Sequence, residues 1–338
     1  MARRAPAAWG LLQVVLAVLL ILVVVDGAAW LWATARLRAG YEAWAAAMRT
    51  AGWTVGGGTP RRAGWPVAAE LVIAQPVLAD DGALVPGSMA WHGERVRLRL
   101  SPLAPRMLDV LPEGVQRVRL ATLPEASVTA EALAVHVPLS GDDAAELRGR
   151  AVRIAAAGVA AEAAALRAEA LPAGVRVAAD AVALPQGYEW PLGATVEAVG
   201  AEAVVVGAPS PAPPGTTAAE QAARWRDAGG RVDVPQFSLR WGPLSAAGSG
   251  SGGLDAGLQP RAEAEIRLRG WQSALDRLVQ GGAIAAGVAL AARAALGLFA
   301  RASEGASPGE VTVPVAVADG TLRAGGIPLL RVPPLVWP

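Results

Sequence analysis

Val96-Arg97-Leu98-Arg99-Leu100 is the stretch that decides the fold, because apolar and basic residues alternate along it. This period of two places one face of a β-strand on a dry core and the other face in water. The alternation recurs at Val115 to Leu120, Val175 to Val177 and Ala262 to Leu268. Half-buried strands form antiparallel sheets that are covered on one side. We therefore predict an α+β fold, mostly β, with a large curved antiparallel sheet.

Three segments of the body have helical signals. Trp271 to Gln280 and Ala283 to Arg301 carry apolar residues at helical spacing. The second is interpreted as a helix packed on the sheet rather than a second membrane span, because Arg293 at its centre makes insertion costly. Asp142 to Glu146 predicts a short third helix, since acidic residues favour a first turn.

The N-terminal segment has the composition of a membrane helix. From Ala5 to Val25 the one polar side chain is Gln13, so we predict a span over about residues 9–30 within an anchor of residues 1–35. Tryptophans at its two ends lie roughly 30 Å apart at about 1.5 Å per residue, the thickness of a hydrocarbon core. The predicted anchor residues are Trp9, Leu11, Val25, Trp30 and Trp32.

Charges around this segment predict its orientation. Arg3 and Arg4 precede the apolar run and Asp26 follows it, which favours a cytoplasmic N-terminus and an exported body. Arg36 and Arg38, on the other side of the run, act against this orientation. A cleaved signal peptide is the alternative, because Gly27-Ala28-Ala29 resembles a cleavage site. An amphipathic pattern continues to Gly52 and predicts a helix that leaves the membrane and docks on the body.

The body comprises residues 36–338. Four prolines within Ala208 to Thr217 predict an extended linker or a long loop. This stretch, near residues 208–217, divides the body into two sub-halves that can still share one sheet.

Composition excludes several kinds of function. Thirty basic against 29 acidic residues give a net charge of +1, without the basic excess that nucleic acid requires. The absence of cysteine rules out disulfides, thiolate metal sites and a cysteine nucleophile. With His92 and His136 as the two histidines, a His-rich metal site is excluded and a catalytic triad has two candidate bases. We expect no enzyme, no metal and no cofactor.

Several local motifs are explained by folding alone. His136 alternates with apolar neighbours, which is typical of the surface of a strand. Asp80-Asp81 precedes a glycine and indicates a turn. Gly248 to Gly253 fits the spacing GxGxxG, but a strand-like segment follows where a dinucleotide site needs a helix. We interpret this stretch as a flexible glycine hairpin or bulge.

An arginine cluster is the remaining candidate for ligand binding. Arg97, Arg99, Arg117 and Arg119 are predicted on one sheet face, where they could attract anionic head groups. A plain solvated face is the alternative.

A set of residues in the C-terminal half carries a family resemblance. Trp225, Gly229 and Gly230 precede the segment Trp241-Gly242-Pro243, and Asp319-Gly320 and Pro333 follow near the end. The pattern resembles the bacterial domain-of-unknown-function family 2125 and, more distantly, the AsmA-like group. The family resemblance implies a membrane-tethered envelope protein without assigned chemistry. The AsmA-like resemblance implies a long curved sheet that holds or conducts lipids.

These observations lead to three function hypotheses. The first is a non-enzymatic protein of the bacterial inner membrane, single-pass, with a periplasmic body that binds or conducts a lipid or other hydrophobic ligand on its sheet. The second is a structural or assembly scaffold for another envelope protein. The third is an envelope hydrolase that depends on His92 or His136.

Overall fold

The fold is an antiparallel sheet with a few helices. The computed structural model describes residues 7–80, 88–120, 123–140, 143–207, 216–302 and 309–337. Strands outnumber helices among these residues, so the predicted α+β, mostly β class is confirmed. The helices are α1 (Ala7–Thr50), α2 (Ala218–Asp227), α3 (Trp271–Gln280) and α4 (Ala286–Ala302).

The first nine strands belong to the N-terminal half. They are β1 (Thr54–Gly56), β2 (Arg61–Ala63), β3 (Ala69–Ala74), β4 (Val77–Asp80), β5 (Met89–Ser101), β6 (Ala104–Leu120), β7 (Ala126–Thr129), β8 (Ala132–Pro138) and β9 (Glu146–Ala156).

The strands that follow among the described residues continue the same sheet. They are β10 (Val159–Leu171), β11 (Gly174–Ala183), β12 (Thr195–Val206), β13 (Arg231–Trp241), β14 (Leu244–Leu254), β15 (Pro260–Arg269), β16 (Glu310–Ala318), β17 (Thr321–Ala324) and β18 (Ile327–Arg331).

Each strand pairs mainly with its neighbours in sequence. β3 and β4 both pair with β5, β6 pairs with β7 and β8, and both of these pair with β9. From β9 to β18 every strand pairs with the next, always antiparallel. β12 pairs directly with β13, so the sheet runs across the predicted division near residues 208–217. Residues 208–215 of that stretch lie outside the described residues.

One face of the sheet carries a row of apolar side chains and one glycine from β5 to β16. Directly paired residues of antiparallel strands project to the same face, so the pairings trace a single row across eleven strands. We call it the apolar row. Its members are Leu98, Val110, Val135, Leu147, Ala168, Val177, Ala201, Phe237, Gly248, Ile266 and Val313.

Helices cover the two ends of this face. Leu37 and Tyr41 of α1 pack against a buried cluster that includes Leu71 and Leu98. At the other end, Trp271 of α3 forms a core with Val311 and Val313 of β16, and further side chains of α3 and α4 pack against it. The sheet therefore has a hydrophobic core at each end.

α1 is a single helix of 44 residues. Its most apolar window is 0% buried inside the molecule, unlike a core helix, whereas Thr34 and Ala45 are buried against the body. Among the described residues, α1 is the one helix long and apolar enough to cross a membrane. The prediction that the helix continues beyond Trp32 and docks on the body is confirmed.

The two long C-terminal helices are confirmed. α3 has the predicted bounds, and α4 begins three residues later than predicted, at Ala286. α4 packs on β16, and Arg293 at its centre forms an ion pair with Asp276 of α3. The ion pair of Arg293, at the centre of α4, therefore connects α4 with α3 on the sheet.

The prediction of a short helix at Asp142 to Glu146 is wrong. Glu146 opens β9 and pairs with Glu169 of β10, while Asp142 lies outside the described residues. Glu146-Leu147-Arg148 continues a period of two, and tertiary pairing on both sides favours a strand. Helix α2, by contrast, was not predicted.

The interpretation of Gly248 to Gly253 as a flexible hairpin or bulge is also wrong. These residues form the regular interior of β14, in register with β15. A Cβ on Gly248 would lie 2.1 Å from Glu265 O and 2.8 Å from the Phe237 ring, so close packing requires glycine there. The bulge lies in the facing strand β13, between Val234 and Phe237.

Asp319-Gly320 forms the predicted tight turn between β16 and β17. Both residues have positive φ, 51° and 63°, as a type I′ turn requires. We expect Gly320→Ala to lower the free energy of unfolding by about 1 kcal/mol, because a Cβ is unfavourable at this φ. Denaturant titration of the full chain in detergent measures the loss. Asp319→Gly is the control, and an equal loss from it would contradict the explanation.

Candidate functional site

An apolar cavity of about 830 Å³ lies between α1 and the N-terminal half of the sheet. Its walls come from α1, β1 and strands β3 to β9. The alternation of these strands explains its chemistry, because every second residue points inward. Leu108 and Val110 of β6 and Val135 and Val137 of β8 line it, while Asp109 and His136 project from the other face.

Helix α1 closes the cavity with aromatic and aliphatic side chains. Leu37, Tyr41 and Trp44 face it, and the rings of Tyr41 and Trp44 lie 6.0 Å apart. Among the described lining residues, Arg36 is the one that carries a charge. Its guanidinium lies 5.6 Å from the centre of the Trp32 ring, at the end of the cavity nearest the apolar part of α1.

Gln116 places one polar group in the lining. The residue is 4% exposed, and its Nε2 donates to Glu113 O at 3.0 Å and Gly114 O at 3.3 Å. Its Oε1 is buried without a hydrogen-bond partner. A buried acceptor without a partner costs free energy, so a donor on a ligand would find a favourable position there.

The apolar row extends this surface beyond the cavity. Ten spacings of about 4.8 Å between eleven strands give it a length of roughly 48 Å. In its middle, Val177 is 37% exposed, and its neighbours on the same face, Val175 and Val199, are 41% and 40% exposed. A hydrophobic molecule in the cavity therefore meets a continuous apolar path toward α3 and α4.

A second cleft has a different character. It occupies about 780 Å³ over strands β13 to β17 and is lined by small residues together with Asp233, Glu263, Glu265 and Arg323. Its mixed charges suit water and ions better than an apolar ligand. The α1 cavity is therefore the stronger candidate site.

The predicted arginine cluster lies on strands β5 and β6. Arg97 forms ion pairs with Glu113 and Glu70, and Arg99 lies 3.7 Å from Glu70. Arg117 is 3.9 Å from Glu125. These carboxylates offset most of the positive charge, and Glu70 is buried at 8% exposure, so this part of the cluster is a partly buried ion-pair network rather than a plain solvated face. Arg119 is in the same strand, beyond Arg117.

The two histidines lie apart on the sheet. His136 Nδ1 is 2.8 Å from Asp109 Oδ1 on the polar face, and His92 in β5 pairs with Arg117. Nearby, a hydrogen bond from Arg148 holds the pKa of Glu146 below its usual value. Among the described residues, no group of three or more His, Cys, Asp or Glu side chains could hold a metal.

Trp225, Gly229 and Gly230 form the end of helix α2. Gly229 has a φ of 78°, and the Gly230 N–H donates to Trp225 O at 2.8 Å, which caps the helix. A Cβ on Gly230 would lie 2.4 Å from the Trp225 ring. These contacts give the three residues a role in folding.

Trp241, Gly242 and Pro243 form the turn between β13 and β14. The Trp241 Nε1–H donates to Gly193 O at 2.7 Å, and the Gly242 N–H donates to the Glu197 carboxylate at 3.0 Å. This turn lies outside the lining of the cavity.

The last motif residues lie at the C-terminal edge of the sheet. Asp319-Gly320 forms the turn described above, and Pro333 is in the extended tail after β18. Val332 N–H, next to Pro333, donates to Gly320 O at 2.8 Å. The motif residues are therefore separate from the cavity.

The predicted anchor residues all lie in α1. Val25 is 60% exposed and Trp32 64% exposed, and the Trp30 Nε1–H donates to Ala63 O at 3.2 Å. The side chains of Trp9 and Leu11 lie outside what the structure describes. Asp80 ends β4 and is buried, and Asp81 lies outside the described residues.

Sequence reasoning did not single out the residues that line the cavity. The amphipathic pattern up to Gly52 predicts a docking helix that includes Tyr41 and Trp44, but not a cavity beside it, and no local pattern marks Gln116. The available signal was an apolar residue at every second position in Leu108 to Pro112 and in Leu133 to Val137, as in Val96 to Leu100.

The comparisons with known proteins give one match. A family model described as an uncharacterized protein conserved in bacteria (DUF2125) matches residues 30–333. Neither the comparison with curated proteins nor that with solved structures gives a match.

Proposed function

This chain belongs to the DUF2125 family of uncharacterized bacterial proteins, and we propose that it is a non-enzymatic, membrane-anchored envelope protein that binds a lipid acyl chain. The bound chain lies in the cavity between α1 and the sheet. The apolar row lets longer chains extend along the sheet, in the manner of the AsmA-like group. The observation that carries the proposal is the apolar lining of a cavity of about 830 Å³.

The size and chemistry of the cavity suit such a ligand. Ligand sites in proteins commonly enclose about 300–1,000 Å³. Each methylene group moved from water into an apolar site contributes about 0.8 kcal/mol. Water is poorly stabilised in the cavity, because a buried water molecule needs several polar partners. Among the molecules of the cell envelope, lipids are common, and their acyl chains are long and carry no polar groups.

The location of the cavity supports a lipid rather than another apolar molecule. Its wall includes residues of α1 that directly follow the apolar segment, beginning at Arg36. A lipid leaving the bilayer along α1 would bring its acyl chain to the cavity and its phosphate to the Arg36 guanidinium. At the inner end, Gln116 Oε1 could accept a hydrogen bond from a hydroxyl group of the ligand.

The anchor and its orientation are part of the proposal. The exposed apolar window of α1 and the charges around it support a single span in the bacterial inner membrane, with the N-terminus in the cytoplasm and the body in the periplasm. A cleaved signal sequence is the alternative, because an apolar helix near the N-terminus has either role. The intact mass of the chain from membranes distinguishes them, because cleavage after Ala29 would remove the whole apolar segment.

Native mass spectrometry of the full chain tests the proposed ligand. Released from membranes in a mild detergent, the chain should carry an additional mass that corresponds to a lipid. Lipid extraction and fragmentation then identify it. A protein without bound lipid under these conditions contradicts the proposal. One stoichiometric protein partner with an empty cavity would favour the scaffold hypothesis instead.

A further inference from the structure

Exposed apolar side chains lie in two adjacent turns at one edge of the sheet. The turn between β2 and β3 exposes Trp65 and Val67, and the turn between β5 and β6 exposes Leu103, which is 97% exposed. The two turns are neighbours, because Ala69 pairs with Leu100. Single exposed apolar residues are ordinary, but a group at one edge indicates an interaction site. We call these three side chains the edge patch.

The edge patch lies at the end of the body where the apolar part of α1 stops. Trp30, at the end of that part, donates to Ala63 O, one residue before the β2–β3 turn begins. Further along the helix, Leu37 packs on the cluster around Leu71. Arg49 donates to Val55 O in β1, which pairs with β4 at the opposite end of the sheet. The helix and the strands therefore run side by side.

The depth of Leu103 follows from the strand register. Ala63 pairs with Glu70 and Glu70 pairs with Arg99, so these residues share the level of Trp30. Leu103 lies two to three residues beyond that level, roughly 7–10 Å at about 3.3 Å per residue. Interfacial tryptophans lie at the level of the lipid head groups. A side chain that extends past Trp30 on the membrane side reaches the boundary of the acyl chains.

The charge beside the edge patch fits a lipid surface. Arg61 and Arg62 of β2 are exposed next to the turn that carries Trp65. Basic residues beside apolar ones are typical of interfacial binding to anionic membranes. A protein partner would have to occupy space that the bilayer around α1 fills.

We infer that the edge patch inserts into the surface of the same bilayer as α1 and forms a second membrane contact. The inference rests on the proposed anchor role of α1. Two contacts fix the angle between the sheet and the membrane, whereas a single helix leaves the body free to tilt. They also hold the Arg36 end of the cavity at the head groups.

Single-cysteine labelling of the full chain tests this contact, because the natural chain contains no cysteine. Leu103→Cys and Val67→Cys are labelled with an environment-sensitive fluorophore. The variants are reconstituted in vesicles of phosphatidylethanolamine and phosphatidylglycerol that contain a nitroxide-bearing lipid. The matched control is Leu123→Cys, an exposed leucine beyond the other end of β6, roughly 50 Å away at about 3.3 Å per residue. Leu20→Cys in α1 reports insertion of the helix.

We expect the lipid nitroxide to quench the label at position 103 about threefold more strongly than that at position 123, because interfacial insertion buries side chains about 5–10 Å deep. The label at position 67 should behave like that at 103. Equal quenching at 103 and 123 with strong quenching at position 20 overturns the edge contact and leaves the anchor intact. Absence of quenching at 20 and 103 overturns both.

Discussion

Filling the α1 cavity with two tryptophans should remove the bound lipid. Val110 of β6 and Val135 of β8 are directly paired in the sheet, and both side chains line the cavity. In the variant Val110→Trp/Val135→Trp, the indoles occupy space needed by the acyl chain. Exclusion of two or more methylenes at about 0.8 kcal/mol each lowers the affinity for the lipid by about tenfold or more. Native mass spectrometry of wild type and variant at equal lipid concentration measures the change.

The matched control carries the same tryptophans on the other face of the same strands. Leu111 directly follows Val110 in sequence, and Ala134 directly precedes Val135. Both side chains point away from the cavity. Leu111→Trp/Ala134→Trp should keep its lipid. Equal loss in both variants would show that the effect comes from damage to the sheet.

Truncating Leu71 should have the largest effect on stability. Leu71 is 0% exposed and packs with Ile73, Val96 and Leu98 beneath α1. We expect Leu71→Ala to lower the free energy of unfolding by about 2–5 kcal/mol, because the packed sheet and helix cannot close the space left. Urea or guanidinium unfolding of the full chain in detergent, followed by circular dichroism, measures the loss.

Leu329→Ala provides the comparison for Leu71. Leu329 is in strand β18 and is 60% exposed, so its truncation should change stability by about 0.5 kcal/mol or less. Similar losses at the two positions would contradict the placement of the core beneath α1.

The sheet could be predicted from sequence because its signal is local. Val96 to Leu100 alternates with period two, and each alternating stretch that was recognised forms a strand. Asp319-Gly320 is equally local, since the turn needs two residues with positive φ and both are present. These features depend on few contacts with the rest of the chain.

Other features depend on tertiary contacts or on a local motif of a different kind. Glu146 has the acidic character of a helix start, but pairing on both sides makes it a strand residue. Gly248 is packed against a neighbouring strand that the sequence does not place there. Helix α2 had an available signal, because Thr217 and Glu220 form a capping box with hydrogen bonds of 3.0 and 3.2 Å.

The cavity itself could not be predicted from the sequence. Its inward-facing residues are visible as alternation, but the space between them depends on how far α1 stands from the sheet. That separation is set by packing at Leu37 and Tyr41, and by the turns that join strands β3 to β9. Periodicity shows which residues share a face and gives no measure of the volume in front of it.

Photo-crosslinking from two adjacent positions of β6 tests the central claim most directly. A benzophenone amino acid is placed at Val110, which lines the cavity, or at Leu111, which projects from the opposite face. After irradiation of intact cells, the chain labelled at position 110 should carry a covalently attached lipid, and the chain labelled at 111 should not. Crosslinks to lipid at neither position, or equally at both, would contradict a lipid-binding cavity between α1 and the sheet.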